Sequence, residues 1–162
     1  MTEEVLLFLL RDAFWSAIAA VGFAILFHVP RHALWGCALA GALGHAIRTG
    51  LIETTGMPLE AATLCAATAV GFLGELLARH YRIPRLIFTV PGVIPMVPGV
   101  FAYRTMTGIF EVTGIADLTP AQGVETLLNT AVNAIRTGMI LADLAIGLIA
   151  PNLLFRRQRP VV

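Results

Sequence analysis

The chain has 162 residues, of which 57% are hydrophobic and 13% are charged, and its formal net charge is +1. About a quarter of the residues of an ordinary soluble domain are charged, and a chain of this length has too small an interior to hide so much apolar surface from water. The composition excludes a soluble globular domain, a disordered chain and a nucleic-acid binder with a basic surface. The sequence therefore predicts an integral membrane protein, with the lipid bilayer as its surroundings.

We expect a single all-α transmembrane domain over residues 1–162, because five segments reach the roughly 20 helical residues that span a bilayer. In chain order, the helices are predicted at residues 5–29, 33–52, 58–78, 86–110 and 120–154. The second segment is the weakest, since it is rich in Gly and Ala and contains His45 and Arg48. If this segment only lies at the membrane interface, the chain has four crossings instead of five.

The start of the first segment carries no basic region of the kind found in a signal peptide, so we expect it to be retained as a membrane helix. Gly41 and Gly44 in the second segment, and Ala67 and Gly71 in the third, are small residues spaced for close helix packing. In the third segment, Glu75 and Arg79 have the favourable order of an i,i+4 ion pair, which indicates a structural role.

The fourth segment is interrupted by prolines, in the run TVPGVIPMVPG at residues 89–99. Each interior proline removes a backbone hydrogen bond and clashes with the preceding turn. In hydrocarbon, broken backbone is tolerated only inside protein or beside a water-filled cavity. We interpret the segment as a discontinuous helix beside a substrate path. A kinked helix that packs against its neighbours is the alternative.

The fifth segment begins with Thr119-Pro120-Ala121-Gln122, which matches a capping box with proline at the first helical position. The segment is longer than a bilayer requires, so this helix should tilt or extend past one membrane interface.

Polar residues follow one face of the fifth helix: Asn129, Asn133, Arg136 and Asp143, with Ile140 among them. Arg136 lies near the middle of the span, where a charge is costly unless it is paired or hydrated. This face should therefore not contact lipid. Two interpretations are open. Arg136 binds a carboxylate in a pathway, or Arg136 and Asp143 form a structural pair with each other or with a neighbouring helix.

Two ionisable residues are candidates in the first and second segments. Asp12 is too short to reach the membrane surface, so it needs a partner or a proton. It is either a proton-coupling carboxylate or half of a salt bridge to an arginine such as Arg48. His45 either carries protons or is a hydrogen-bonded packing residue.

Neither a metal nor a cofactor is expected. Cys37 and Cys65 lie singly in apolar runs, without the spacing of a disulfide framework or a zinc site. His28 and His32 are four residues apart, but Pro30 between them keeps them off one helix. The sequence contains no nucleophile and base set, P-loop or dinucleotide fingerprint, so we do not expect an enzyme.

Several runs, taken together, resemble the threonine/serine exporter family. They are Ala20-Val21-Gly22-Phe23-Ala24, Val29-Pro30, Cys37-Ala38-Leu39, Gly41, Gly44-His45, Arg48 and, above all, Val93-Ile94-Pro95-Met96, Pro98-Gly99 and Ala102-Tyr103. The resemblance extends from about Asp12 to the basic tail. It is nearest to the small, YjjB-like subunit of the members that are split into two chains.

The resemblance implies a multi-pass exporter subunit of the bacterial inner membrane, which acts with a larger YjjP-like membrane subunit. The implied cargo is a small carboxylate, succinate for split members and threonine or serine for single-chain members. The positions that it points to are Asp12, His45, Arg48, Pro95, Pro98, Gly99, Tyr103 and Asn133. Arg136 is a candidate from the polar face alone, and Arg136, Asp143 and Pro91-Gly92 depart from the family's pattern.

Three functions are open on the sequence. A transport subunit is favoured, because five helices with one broken element are too few to enclose a route, so that a second chain supplies the rest. Efflux would then be driven by the proton gradient or by the gradient of the substrate itself. A structural subunit without cargo contacts and a homo-oligomeric channel are the alternatives.

The distribution of charge predicts the orientation. Arginines cluster in the loops after the first, third and fifth helices: Arg31, Arg79, Arg82, Arg85, Arg156, Arg157 and Arg159. The opposite side carries mostly acids, namely Glu3, Glu4, Glu53, Glu60, Glu111, Asp117 and Glu125, with only Arg48 and Arg104 near helix ends. The positive-inside rule then places the amino terminus outside and the carboxyl terminus in the cytoplasm.

Reporter fusions test this orientation. A fluorescent protein that matures only in the cytoplasm should be bright at the carboxyl terminus and dark at the amino terminus, and a phosphatase that is active only outside should give the reverse. Cytoplasmic signals from both termini would contradict five crossings and support four.

Overall fold

In the computed structural model, residues 3–115 and 119–155 are described, and throughout these ranges the regular structure is helical, as predicted. The α-helices within them are α1 Glu3–Leu26, α2 Leu34–Thr55, α3 Leu59–Tyr81, α4 Leu86–Val93, α5 Gly99–Phe110 and α6 Pro120–Phe155. Short 3₁₀ turns occur at Arg31–Ala33 and Ile94–Met96, and a π-type turn occurs at Glu111–Ile115. Four charged residues used in the orientation argument lie outside the described residues: Asp117, Arg156, Arg157 and Arg159.

Three of these helices, α1, α3 and α6, are long and apolar enough to cross a membrane, and the interrupted pair Leu86–Met96 and Gly99–Gly114 could make a fourth crossing. Within the described residues, α2 does not reach this apolarity, although its 22 residues extend over about 33 Å. A membrane protein is therefore supported, whereas five crossings and the orientation stay predictions.

The chain divides into two compact units. The first contains α1 to α4, the 3₁₀ turn at Ile94–Met96 and the end of α6 from Asp143 onwards. The second contains α5, the π-type turn and the part of α6 up to Ala142.

Helix α2 lies in the middle of the first unit and packs against α1, α3 and α4. Its buried residues are mostly small: Gly36, Cys37, Ala40, Gly41 and Gly44, together with His45. A Cβ atom at Gly41 would lie 2.6 Å from the Cβ of Ala20 and 2.9 Å from the carbonyl oxygen of Ser16. The low hydropathy of α2 thus follows from its position, because a helix surrounded by helices needs small side chains more than apolar bulk.

A second close contact joins α3 to the carboxyl-terminal end of α6. A Cβ atom at Gly71 would lie 3.1 Å from the carbonyl oxygen of Gly147, and one at Gly147 would lie 2.6 Å from the Cβ of Ala67. The packing face predicted on the third segment is therefore confirmed. Glu75 and Arg79 also pair as predicted, with 3.0 Å between Oε1 and Nε.

The fourth segment is interrupted, as predicted, but over a shorter stretch than its prolines suggest. Pro91 lies inside α4 and does not end it. The helix tightens into the 3₁₀ turn at Ile94–Met96, and α5 begins only at Gly99. Pro98 precedes α5 with φ −79° and ψ 59°, outside the helical region. The break therefore lies at Pro95 and Pro98.

The capping box at the start of the fifth predicted helix is present. The backbone N–H of Thr119 donates to Oε1 of Gln122 at 3.0 Å, and the Thr119 hydroxyl donates to the same oxygen at 2.8 Å. Helix α6 begins at Pro120, where the missing N–H removes no hydrogen bond.

Large apolar side chains are exposed along α1, which buries only Ser16, Ala20 and Ala24. Among those exposed are Leu7, Phe14, Trp15, Ile18 and Leu26. A soluble monomer rarely exposes such a continuous apolar surface. The outer face of α1 is therefore suited to acyl chains.

The contact between α1 and α2 generates a stability prediction. Gly41→Ala should destabilise the protein by about 1–3 kcal/mol, since the new methyl group overlaps Ala20 and the Ser16 backbone. Thermal unfolding in detergent micelles, followed by the fluorescence of Trp15 and Trp35, measures this change.

Gly22→Ala is the matched control, because a Cβ atom at Gly22 has no neighbour within 4 Å. This substitution should leave the melting temperature unchanged or raise it slightly, as the helix propensity of alanine exceeds that of glycine by up to about 1 kcal/mol. Equal melting temperatures for the two variants would contradict the close packing of α1 on α2.

Candidate functional sites

Polar side chains of α1 and α2 meet inside the first unit. The Asp12 carboxylate accepts a hydrogen bond from the Thr49 hydroxyl at 2.7 Å and lies 3.1 Å from Nδ1 of His45. Asp12 is about 14 Å from the start of α1 at 1.5 Å per residue, well inside the helix. Asp12, His45, Arg48 and Thr49 are called the Asp12 cluster below.

Arg48 connects this cluster to the interrupted segment. Its Nη1 donates to the carbonyl oxygen of Met96 at 3.2 Å, while its Nη2 lies 3.4 Å from Nε2 and 3.5 Å from Nδ1 of His45. Met96 is the last residue of the 3₁₀ turn, where a helix leaves carbonyl groups without an N–H partner. A cation is the favourable partner at such a carboxyl-terminal end.

The Asp12 cluster is largely shielded, with 11% of the His45 side chain and 28% of the Asp12 side chain exposed. In the neutral tautomer that carries Nδ1–H, His45 donates to Asp12, while Nη2 of Arg48 lies nearly equidistant from the two ring nitrogens. With this neutral ring, the negative charge of Asp12 balances the positive charge of Arg48. Charges in an apolar interior are tolerated under this condition.

The contacts of the cluster bear on the interpretations that the sequence left open for Asp12 and His45. The Asp12 carboxylate contacts Nδ1 of His45 at 3.1 Å, and no direct contact between Asp12 and Arg48 at ion-pair distance occurs among the described residues. The salt bridge from Asp12 to Arg48 considered above is therefore not formed directly, because His45 lies between the two charged groups. His45 is hydrogen-bonded, as its packing interpretation expects, and a role in carrying protons stays a prediction.

The second unit contains a polar cavity of about 470 Å³, open to its surroundings, between α5 and the first half of α6. Its polar lining includes Arg104, Thr107, Glu111, Thr126, Asn129 and Asn133. The cavity is therefore lined by one guanidinium, one carboxylate, two amides and several hydroxyl groups. This space is called the polar cavity below.

Helix periodicity explains the lining of the polar cavity. Arg104, Gly108 and Glu111 have the spacing of one helix face, and Gly108 has no side chain to keep α6 away. A Cβ atom at Gly108 would collide with Oγ1 of Thr130. Asn129 and Asn133, four residues apart on α6, line the same space.

The predicted pathway residues of the second unit are not all at the polar cavity. Asn133 lines it, but Gly99, Tyr103 and Arg136 do not. Tyr103 is 70% exposed. The guanidinium of Arg136 lies 5.8 Å from the ring centre of Phe101, in cation–π geometry. The pairing of Arg136 with Asp143 stays a prediction, as do the pathway roles of all these residues.

Sequence reasoning missed the two charged lining residues, Arg104 and Glu111, which it treated only as charges near helix ends, and it did not single out the threonines of the lining. The signal that could have found them is their separation by seven residues with Gly108 between them. Among the described residues, no group of three or more His, Cys, Asp or Glu side chains could hold a metal ion.

Comparisons with known proteins point to one family. Residues 12–154 match the model of the family described as "Threonine/Serine exporter, ThrE". The chain is 42% identical over 156 residues to an uncharacterized protein of Haemophilus influenzae. The aligned residues cover 95% of this chain but 50% of that relative, so the chain spans about half the length of the relative. No solved structure matches the chain.

The bridging position of Arg48 generates a second stability prediction. Arg48→Ala leaves the Asp12 charge without its balance and the Met96 carbonyl without its donor. Removing one partner of a buried charge pair costs about 3–5 kcal/mol. Because the Asp12 side chain is partly exposed, its unbalanced charge costs less than a fully buried one, and we expect the free energy of unfolding to fall by about 2 kcal/mol. Thermal unfolding in detergent micelles measures it.

Arg79→Ala is the matched control. It removes an arginine of the same size from a pair on the surface of α3, where the Arg79 side chain is 62% exposed. Such exposed i,i+4 pairs contribute about 0.5 kcal/mol or less. If Arg48→Ala lowers the free energy of unfolding no more than Arg79→Ala does, Arg48 does not stabilise the interrupted segment.

Proposed function

Because this chain belongs to the threonine/serine exporter family, we propose that it is a transport subunit of the bacterial inner membrane and moves threonine or serine out of the cytoplasm. The observation that supports this substrate class is the polar cavity, which brings Arg104 and Glu111 to one space. Its volume of about 470 Å³ lies within the usual range of ligand pockets and leaves room for water around an amino acid.

The lining of the polar cavity matches the groups of a hydroxy amino acid. Arg104 offers a guanidinium fork for the α-carboxylate, a pairing that is strong and directional. Glu111 offers a carboxylate for the α-ammonium group. The amides of Asn129 and Asn133 and the hydroxyl of Thr126 can donate to or accept from the substrate hydroxyl.

Glu111 also bears on the choice between the two cargoes implied by the family resemblance. Succinate has two carboxylates and no ammonium group, so one of its charges would face a carboxylate of the same sign. A like charge in a partly desolvated site lowers affinity and thereby excludes the wrong substrate. The cavity therefore favours an amino acid over a dicarboxylate.

We further propose that a larger membrane polypeptide completes the transport path. The relative from Haemophilus influenzae is about twice as long as this chain, which fits a family whose function needs both halves. The polar cavity is open, and the Asn129 amide that lines it is exposed on a helix apolar enough to cross a membrane. Lipid cannot satisfy such groups, whereas a second polypeptide or enclosed water can.

Substitutions in the polar cavity test the substrate. Glu111→Gln should reduce threonine and serine efflux about tenfold or more, since a hydrogen bond between charged groups contributes about 1.5–3 kcal/mol. The same substitution should spare or improve succinate efflux. Arg104→Gln should reduce efflux of every carboxylate. Efflux of labelled threonine, serine and succinate is measured from cells that carry this chain together with the larger companion subunit.

Glu125→Gln is the matched control, because Glu125 is an exposed glutamate near the start of α6 and does not line the polar cavity. It should leave efflux unchanged. Normal threonine efflux in Glu111→Gln would exclude this cavity as the amino-acid site. If cells with and without the intact chain export all three compounds equally, the transport function itself is wrong. Conductance by the purified chain alone would favour the channel alternative.

A further inference from the structure

We propose that the Asp12 cluster is a proton-binding site, and that Arg48 transmits its proton occupancy to the interrupted segment. The inference rests on the proposed transport function but concerns a different part of the molecule from the polar cavity. Its physical basis is that a carboxylate, an imidazole and a guanidinium form one connected set of contacts, which ends on the backbone of the break.

Stability alone does not account for these ionisable residues. An ion pair in an apolar interior contributes no more to stability than well-packed apolar side chains of the same volume. Asp12 and His45 lie well inside α1 and α2, where small and apolar residues make up the rest of the contact. An aspartate hydrogen-bonded to a histidine can, however, take up and release one proton as a unit.

The helices that pack around the proton-binding site bring few charged groups near it. Helix α4, which packs against α2, has no acidic or basic side chain, and α3 presents Val70 next to Gly44. The 3₁₀ turn contributes only the Met96 carbonyl. The other acidic and basic side chains of α1, α2 and α3 are exposed or lie near helix ends: Glu3, Glu4, Arg11, Glu53, Glu60, Glu75, Arg79 and His80. Arg48 is therefore the charge that senses a change on Asp12 or His45.

Proton uptake changes the balance around Arg48. Without the extra proton, Asp12 and Arg48 carry opposite charges and His45 is neutral. When the Asp12–His45 pair binds a proton, it loses its net negative charge. If the proton resides on the ring, a second cation lies 3.4 Å from the Arg48 guanidinium. Arg48 is then repelled by the ring, and this repulsion offsets its attraction to the Asp12 carboxylate.

Movement of Arg48 affects the interrupted segment. Arg48 donates to the carbonyl of Met96, and Met96 is the residue at which the chain leaves the first unit. When Arg48 withdraws, this carbonyl needs another donor, such as water, a substrate group or a rearranged turn. Proton binding and the conformation of the interrupted segment are thereby coupled, which is what an exporter driven by a proton gradient requires.

A spin label tests the coupling without any transport measurement. In the full chain, Cys37 and Cys65 are replaced by Ser, and Val97, which is 44% exposed beside the break, is replaced by Cys and labelled. In membranes that also hold the larger companion subunit, the label should change mobility between pH 8 and pH 5. The change should persist in His80→Gln, where an exposed histidine outside the cluster is removed, and vanish in His45→Gln and Asp12→Asn.

Transport by the same variants separates coupling from substrate binding. In Asp12→Asn and His45→Gln, the rate of threonine efflux driven by a pH gradient should fall at least tenfold. The exchange of labelled internal threonine for unlabelled external threonine should continue at the rate of the parent chain. Asp12→Glu preserves the carboxylate and should retain both driven efflux and the response of the label, which distinguishes lost protonation from misfolding.

Each outcome bears on the proposal. A pH response of the label that survives in Asp12→Asn or His45→Gln overturns it, as does driven efflux in these variants at the level of the parent chain. Equal loss of exchange and driven efflux in Asp12→Asn and Asp12→Glu shows a structural role only and also overturns it. If the parent chain moves no threonine but the label still responds through the Asp12 cluster, the proposed function fails while the proton site stands.

Discussion

A backbone carbonyl without a donor cannot be left in an apolar interior, and the interrupted fourth segment depends on this constraint. Pro95 and Pro98 prevent a continuous helix, and the freed carbonyl of Met96 is held by Arg48. Arg48 in turn needs a balancing charge, which Asp12 supplies from α1, with His45 placed between them. One chain of contacts thus joins the break between α4 and α5 to the polar residues of α1 and α2.

The same requirement explains why the least apolar helix lies at the centre of its unit. Only a helix covered by α1, α3 and α4 can carry an arginine and a histidine away from lipid. Glycine and alanine on α2 let the surrounding helices approach closely, and this proximity brings Asp12 within hydrogen-bond distance of His45 and Thr49. The polar contacts of α2 therefore depend on the close packing that its small residues allow.

The two units carry different chemistry. The first holds a charge-balanced cluster suited to a proton, and the second holds a cavity whose cation and carboxylate suit a zwitterion. Membership of the threonine/serine exporter family is the basis on which we propose a common purpose for both features, the export of an amino acid. The open cavity and the half-length match to a relative are the two observations behind our proposal that a further polypeptide contributes to transport.

The sequence alone determined the membrane class, the helices to within a few residues, the capping box at Thr119 and the presence of a break, because these depend on composition, periodicity and the covalent geometry of proline. It also singled out Asp12, His45 and Arg48 as residues that need partners. Only the tertiary structure decided which groups these three residues contact, since the contacts between α1, α2 and the 3₁₀ turn join residues more than thirty positions apart. The joint cavity of Arg104 and Glu111 likewise exists only once Gly108 lets α5 approach α6.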